Sequence, residues 1–89
     1  KYGEAIELAQ RALVIFERIL PPNAPELAAL LNNLGAMQLA SGGAAEAYEY
    51  FQKSLSIYRE TLASNHPMLT KLNNSCQLAQ SRMNKERAK

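Results

Sequence analysis

The sequence is poor in the residues that chemistry at a site requires: it has one cysteine, one histidine and no tryptophan. A lone cysteine, Cys76, excludes an internal disulfide and is typical of a reducing compartment, so we expect a cytoplasmic protein. Glu17 and Arg18 interrupt the best apolar run, and no signal-peptide pattern opens the chain. We therefore expect no membrane contact.

Catalytic and phosphate-binding motifs are also missing. His66 stands before Pro67 with no nearby cysteine, aspartate or second histidine, so we interpret it as a helix cap or an exposed loop residue. Gly42-Gly43 lacks the strand, the lysine and the following hydroxyl of a phosphate loop. Cys76 falls on an apolar stripe and is interpreted as a small core residue. The sequence predicts no enzyme, no cofactor and no metal site.

The net charge of +2 is unevenly distributed, with −2 over residues 1–65 and +4 over residues 66–89. A basic end of this kind is either a solvated helix terminus or a nucleic-acid footprint. No aromatic side chains alternate with these cations to stack on bases, which favours the solvated end. An RNA-binding hypothesis rests on the basic tail alone, and we do not expect nucleic acid as a partner.

The strongest positive feature is an internal repeat. Shifting the sequence by 42 positions without a gap gives 13 identities in 47 overlapping positions, from Glu4/Glu46 to Gln38/Gln80. Average residue usage would give about three by chance. A period between about 20 and 50 residues is the signature of a solenoid built from stacked repeats.

Apolar residues recur at steps of three and four, and no strand-like alternation is present. The spacing predicts an all-α chain with helices at about 2–20, 24–41, 44–63 and 66–85, and a frayed tail at 86–89. Pro21-Pro22 and Gly42-Gly43 end helices, while Asn23 is expected to cap the helix that follows. The 89 residues are enough for one small domain, and the start at Lys1 indicates a piece of a longer protein.

These motifs resemble the tetratricopeptide repeat family. The resemblance is carried by Leu34-Gly35, the Gly42-Gly43 corner, Ala47 and Phe51. The 42-residue period and the string of residues 31–35 resemble the kinesin-light-chain type in particular. The resemblance implies an antiparallel helix-hairpin α-solenoid fragment. In that frame, residues 1–20 are the second helix of one repeat, 24–63 a complete repeat, and 66–85 the first helix of another.

In this family the first helices line a concave face that binds extended or helical peptides. Carried over by position, the lining would be Ala29, Asn32, Asn33, Ala36, Leu39, Lys71, Asn74, Ser75, Leu78 and Arg82. Amides can hold a peptide backbone in either orientation, and the two cations would favour an acidic partner. A second interpretation has Asn32 and Asn33 bonding a turn or the next repeat, and Lys71 and Arg82 simply solvated.

Three departures from the repeat pattern have consequences. Gln38 stands where an aromatic is usual, Ser54 where an alanine is usual, and Cys76-Gln77 where the first copy has Leu34-Gly35. A glutamine at a close-packing position indicates a capping helix with one wet face.

A second functional hypothesis is self-assembly, in which the chain dimerises or swaps helices. An unpaired first helix would expose Ile6, Leu13 and Phe16, each worth about 1.5 to 3 kcal/mol when buried.

Overall fold

The computed structural model describes residues 2–88, and over this range the chain is all-α, with four helices and no strand. The helices are α1 (Tyr2–Ile19), α2 (Pro25–Ala40), α3 (Ala44–Thr61) and α4 (Pro67–Arg87). Each helix packs against the next one along the chain, and a short segment connects the two, as in a series of helix hairpins. The predicted all-α hairpin fragment is confirmed. None of these four helices is both long and apolar enough to cross a bilayer.

The α2–α3 corner depends on backbone freedom at one glycine. Gly42 has φ +95°, in the region that disfavours side chains. The N–H of Gly43 then donates to the Gln38 carbonyl at 2.7 Å, which satisfies the end of α2.

The structure corrects the predicted cap of α2 and confirms the predicted cap of α4. The N-cap of α2 is Ala24, with no side-chain bond, and not Asn23. In α4 the N-cap is His66, whose Nδ1 accepts from the Met68 N–H at 3.0 Å. Pro25 and Pro67 each take the first helical position, so the residue directly before the proline becomes the cap. The interpretation of His66 as a cap is confirmed.

Helix α4 extends through Glu86 and Arg87, two residues beyond the predicted end at residue 85, and fraying of residues 86–89 stays a prediction. The Ala88 N–H still donates to the Asn84 carbonyl at 3.1 Å. This segment has no glycine or proline to stop it, and Lys85 and Arg87 favour the negative end of the helix dipole. Lys89 lies outside the described residues.

The core consists of two apolar clusters. One joins α2 to Ile57 of α3 and to the inner side of α1: Ala24, Leu27, Ala28, Leu31 and Ile57, with half-buried Leu13, Phe16, Leu20, Tyr50 and Tyr58 against them. The other joins α3 to α4: Ala47, Phe51, Leu55, Leu69, Leu72, Cys76 and Ala79. Helix α3 contributes to both clusters and is therefore the middle layer of the stack.

Helix α1 is the least buried element, since none of its residues is fully buried. Leu13 and Phe16 are half-buried against the α2 cluster and Ile6 is also half-buried, so the prediction that these three are exposed is wrong. The large apolar residues that α1 does expose include Leu8, Ile15 and Ile19. The apolar stripe of α1 is wider than the surface α2 offers, and the uncovered part lies to one side.

Candidate functional site

Close contact between α2 and α3 positions the rest of the site. A Cβ built on Gly35 would lie 2.6 Å from Cε1 of Phe51, so only glycine allows the two helices this separation. Leu34 and Ala47 are completely buried beside this contact. The buried Ser54 Oγ donates to the Ala28 carbonyl at 2.7 Å, which satisfies the hydroxyl that replaces the usual alanine. The predicted small-residue packing of the hairpin is therefore present.

A groove of ≈ 480 Å³ lies between α2 and α4, the two first helices of the repeat frame. Its lining comes from α2, from α4 and from one side chain of α3: Asn32, Asn33, Ala36, Leu39, Ala40, Lys71, Ser75, Arg82 and Phe51. Helix α3 lies behind both first helices in the core, which leaves this side open.

Seven of the ten residues predicted for the concave face line this groove: Asn32, Asn33, Ala36, Leu39, Lys71, Ser75 and Arg82. Ala29 lies outside the groove, although the helical period puts it on the same face of α2, nearly two turns before Ala36. Asn74 and Leu78 are exposed on α4 and also lie outside the groove, although Leu78 stands seven positions after Lys71 and therefore shares its face of the helix.

Sequence reasoning missed two lining residues, Ala40 and Phe51. Ala40 stands four positions after Ala36, so the helical period could have found it. Phe51 looked like a packing residue, and it is one, because it is buried in the α3–α4 cluster. Phe51 also lines the groove because of how α2 and α4 are placed relative to it. The spacing of residues along the sequence does not reveal that placement.

The groove is positively charged. Lys71 and Arg82 are its two charged residues, and none of the lining residues is acidic. Nη1 of Arg82 donates to the Leu39 carbonyl at 3.5 Å, which reaches from α4 to the last turn of α2. Over residues 2–88 the one salt bridge joins Arg11 to Glu7 on α1, so the ammonium of Lys71 has no carboxylate partner there. This arrangement favours a ligand that supplies negative charge.

The groove also offers polar side chains without internal partners. The Asn32 and Asn33 side chains bond to no other group among residues 2–88, unlike Ser75, whose Oγ donates to the Lys71 carbonyl at 3.2 Å. Two amides therefore remain available to donate and accept at once, as a peptide backbone requires.

The two other candidate residues, Cys76 and His66, have structural roles. Cys76 is a free thiol inside the α3–α4 cluster, where burial raises its pKa and the nearby Arg59 acts in the opposite direction. His66 is exposed and caps α4. Among residues 2–88 no group of three histidine, cysteine or acidic side chains lies close enough to hold a metal ion.

Stacked helix hairpins with an open groove along their first helices define a helical-repeat scaffold protein. A tetratricopeptide repeat family model matches residues 1–60, and the chain belongs to that family. Clustered mitochondria protein homologs of Emericella nidulans, Aspergillus fumigatus and Neosartorya fischeri are each 30% identical to it over 77 residues. The match covers 85% of this chain and only 6% of each relative's length.

Proposed function

We propose that the groove between α2 and α4 binds a segment of another protein, with an acidic stretch placed over Lys71 and Arg82. The observation that carries this proposal is the lining itself: two cations, two free amides and no carboxylate around an open groove of ≈ 480 Å³. Tetratricopeptide repeats generally mediate protein–protein interaction. The chain would act by holding its partner, without catalysis.

We also propose that the repeat is of the kinesin-light-chain subtype. Its support is the 42-residue period and the Leu31-Asn32-Asn33-Leu34-Gly35 string, which contains both groove amides. A partner in extended form would suit these amides, because alternating backbone N–H and C=O groups can pair with each of them.

The relatives suggest the larger setting. Their name refers to clustered mitochondria, and this chain matches a small segment of each. We propose that the chain serves as an interaction segment of a long protein of that kind, located in the cytoplasm. The buried free thiol of Cys76 is compatible with that reducing compartment.

The direct test is peptide binding measured by fluorescence anisotropy. Two labelled 12-residue peptides share the same apolar residues, and one carries glutamates where the other carries lysines. The acidic peptide should bind and the basic one should not, and added salt should weaken the binding. Lys71→Glu should reduce the affinity by about tenfold or more. Lys53→Glu, an equal charge change on an exposed α3 residue outside the groove, is the matched control.

A second variant pair separates the groove from its surroundings. Changing Asn32 and Asn33 together to alanine should weaken binding of the acidic peptide. The helical circular dichroism signal of the chain should stay the same. Asn74→Ala should leave the affinity unchanged, because Asn74 lies outside the groove. If the double variant binds as well as the unmodified chain, the groove is not the binding site.

A further inference from the structure

Both cations of the groove belong to one helix and to one row of that helix. Lys71 and Arg82 stand eleven positions apart on α4. Eleven positions are close to three full turns, so both side chains leave the same face, with their Cα atoms about 16.5 Å apart along the axis. Long side chains of a helix lean towards its N-terminus, so the two lean alike and keep this separation.

The two helices that line the groove carry no other charge near these cations. Within residues 27–40 and 67–84, Lys71 and Arg82 are the only charged side chains. Their counterparts 42 positions earlier on α2 are Ala29 and Ala40, so the same repeat positions carry only a methyl group there. The separation of the cations is therefore a property of α4 alone and does not depend on how α2 is placed.

The two cations act as separate charges. The Debye length is about 10 Å at 0.1 M salt, which is shorter than their separation of about 16.5 Å. Nη1 of Arg82 donates to the Leu39 carbonyl at 3.5 Å, so the guanidinium reaches across the groove to α2 and not along α4 towards Lys71. This bond uses one of five N–H groups, and the others can still hold a carboxylate. A ligand therefore needs one carboxylate for each cation.

The size of the groove selects the conformation of the ligand. A volume of ≈ 480 Å³ spread over about 16.5 Å corresponds to a cross-section of about 30 Å². A helix with its side chains is at least about 10 Å wide, which requires about 80 Å², so a helix would lie on the rim. An extended chain is narrower and advances about 3.3 Å per residue, so it covers the distance between the cations in about five residues.

From these distances we propose that the groove selects an extended segment whose two acidic residues stand about four to six positions apart, with uncharged residues between them. One carboxylate pairs with Lys71 and the other with Arg82. The middle of the segment lies over Asn33, Ala36 and Ser75, where the lining is uncharged. This inference rests on the proposed function and adds the spacing that the partner must have.

The test is a series of labelled 14-residue peptides of one composition with blocked ends, each with two glutamates placed one, five or eleven positions apart. Fluorescence anisotropy at 0.1 M salt measures their affinities for the unmodified chain. The five-position peptide should bind about three- to fivefold tighter than the other two, which is the value of one additional exposed ion pair. An optimum at eleven positions would overturn the extended conformation, because eleven residues of a helix cover the same distance.

A variant that moves one cation tests the spacing directly. Lys71→Ser together with Ser75→Lys keeps the composition and shortens the separation of the cations to about 10.5 Å. The best spacing of the glutamates should then fall from about five to about three positions, measured with an added three-position peptide. The matched control exchanges Lys53→Ser and Ser56→Lys, both exposed on α3 outside the groove, and should keep the optimum at five. An unchanged optimum in the first variant would overturn the pairing.

A third variant removes the second charge. Arg82→Gln keeps an N–H group for the Leu39 carbonyl and should make the peptides bind alike, because a single cation has no spacing to select. A preference for five positions that survives this change would overturn the role of Arg82. Circular dichroism checks that each variant is folded, and the series on the unmodified chain decides the matter if a variant is not.

The outcomes separate this inference from the proposed function. If no acidic peptide binds the unmodified chain, the groove is not an acidic-peptide site and both proposals fail. If the peptides of the series bind it equally well, the acidic partner stands and the spacing alone is wrong.

Discussion

Gly35 determines how closely α2 approaches α3. An added Cβ would lie 2.6 Å from Phe51 Cε1 and 2.7 Å from Cδ1, and Phe51 is 2% exposed. A packed aromatic ring has no free volume into which it can move, so the helices themselves would have to separate. Because Phe51 also lines the groove, the same contact links the hairpin to the proposed binding surface.

Gly35→Ala should therefore lower the free energy of unfolding by about 1–3 kcal/mol, as overpacking does in a filled core. Gly3→Ala is the control, because Gly3 lies in α1 with nothing within 4 Å of the added carbon. That change should stabilise the chain by up to about 1 kcal/mol through helix propensity. Urea unfolding of both variants decides the matter, and equal stability of Gly35→Ala and the unmodified chain would contradict the close packing.

Cys76 gives a pH-dependent prediction. Burial raises the pKa of its thiol above the ordinary value of 9.0, with Arg59 partly opposing the shift. The folded chain then keeps a proton that the unfolded chain releases, so this contribution to stability is complete below pH 9.0 and is lost as the pH rises through the folded-state pKa. Denaturant unfolding between pH 8 and about pH 11 should show a steeper loss for the unmodified chain than for Cys76→Ala. Parallel curves would contradict the shift.

At the scale of the helices, local signals located the elements well and their caps less well. Apolar periodicity predicted each helix, and Gly42 supplies the positive φ that the corner requires. The cap of α2 was misplaced because proline at the first helical position selects its own neighbour, Ala24, and not the asparagine before it. Helix α4 continues past the predicted end at residue 85, because the polar residues there include no glycine or proline that would stop it.

The four helices should differ in stability. Helix α1 has no fully buried residue and packs against α2, with one further bond from Gln10 Nε2 to the Tyr50 hydroxyl at 3.2 Å. Helix α3 contributes to both core clusters. Amides of α1 should therefore exchange with deuterium well before those of α3, because local opening of α1 exposes little buried apolar surface. Hydrogen-exchange mass spectrometry measures this, and equal protection of the two helices would show that the chain opens only as a whole.

At the scale of the whole molecule, the two ends of the stack are not equivalent. Helix α1 exposes the apolar side chains of Leu8 and Ile15, α4 exposes the polar side chains of Asn73 and Gln77, and the groove between α2 and α4 carries two cations. The described chain thus has an apolar exposed row on its first helix, a polar exposed row on its last helix and a positively charged groove. These properties come from single rows of side chains, since a helix presents a different row to each neighbour.

Much of this could be predicted from the sequence. The helical spacing of apolar residues and the Gly42-Gly43 pair are local properties, so they determined the four helices and the hairpin corner. The order of first and second helices came from the family resemblance. Seven of the ten expected concave-face residues line the groove, because a row on a helix is set by the same period.

Only the tertiary structure decided which part of each row meets a neighbour. It left Asn74 and Leu78 outside the groove and added Phe51 to its lining. It also half-buried Leu13 and Phe16 of α1 and left Leu8 and Ile15 exposed. The physical reason is that the rotation of a packed helix about its axis depends on both partners at once. Here a contact between residues far apart in the chain, Gly35 against Phe51, brings α2 and α3 together, and no spacing within either helix contains it.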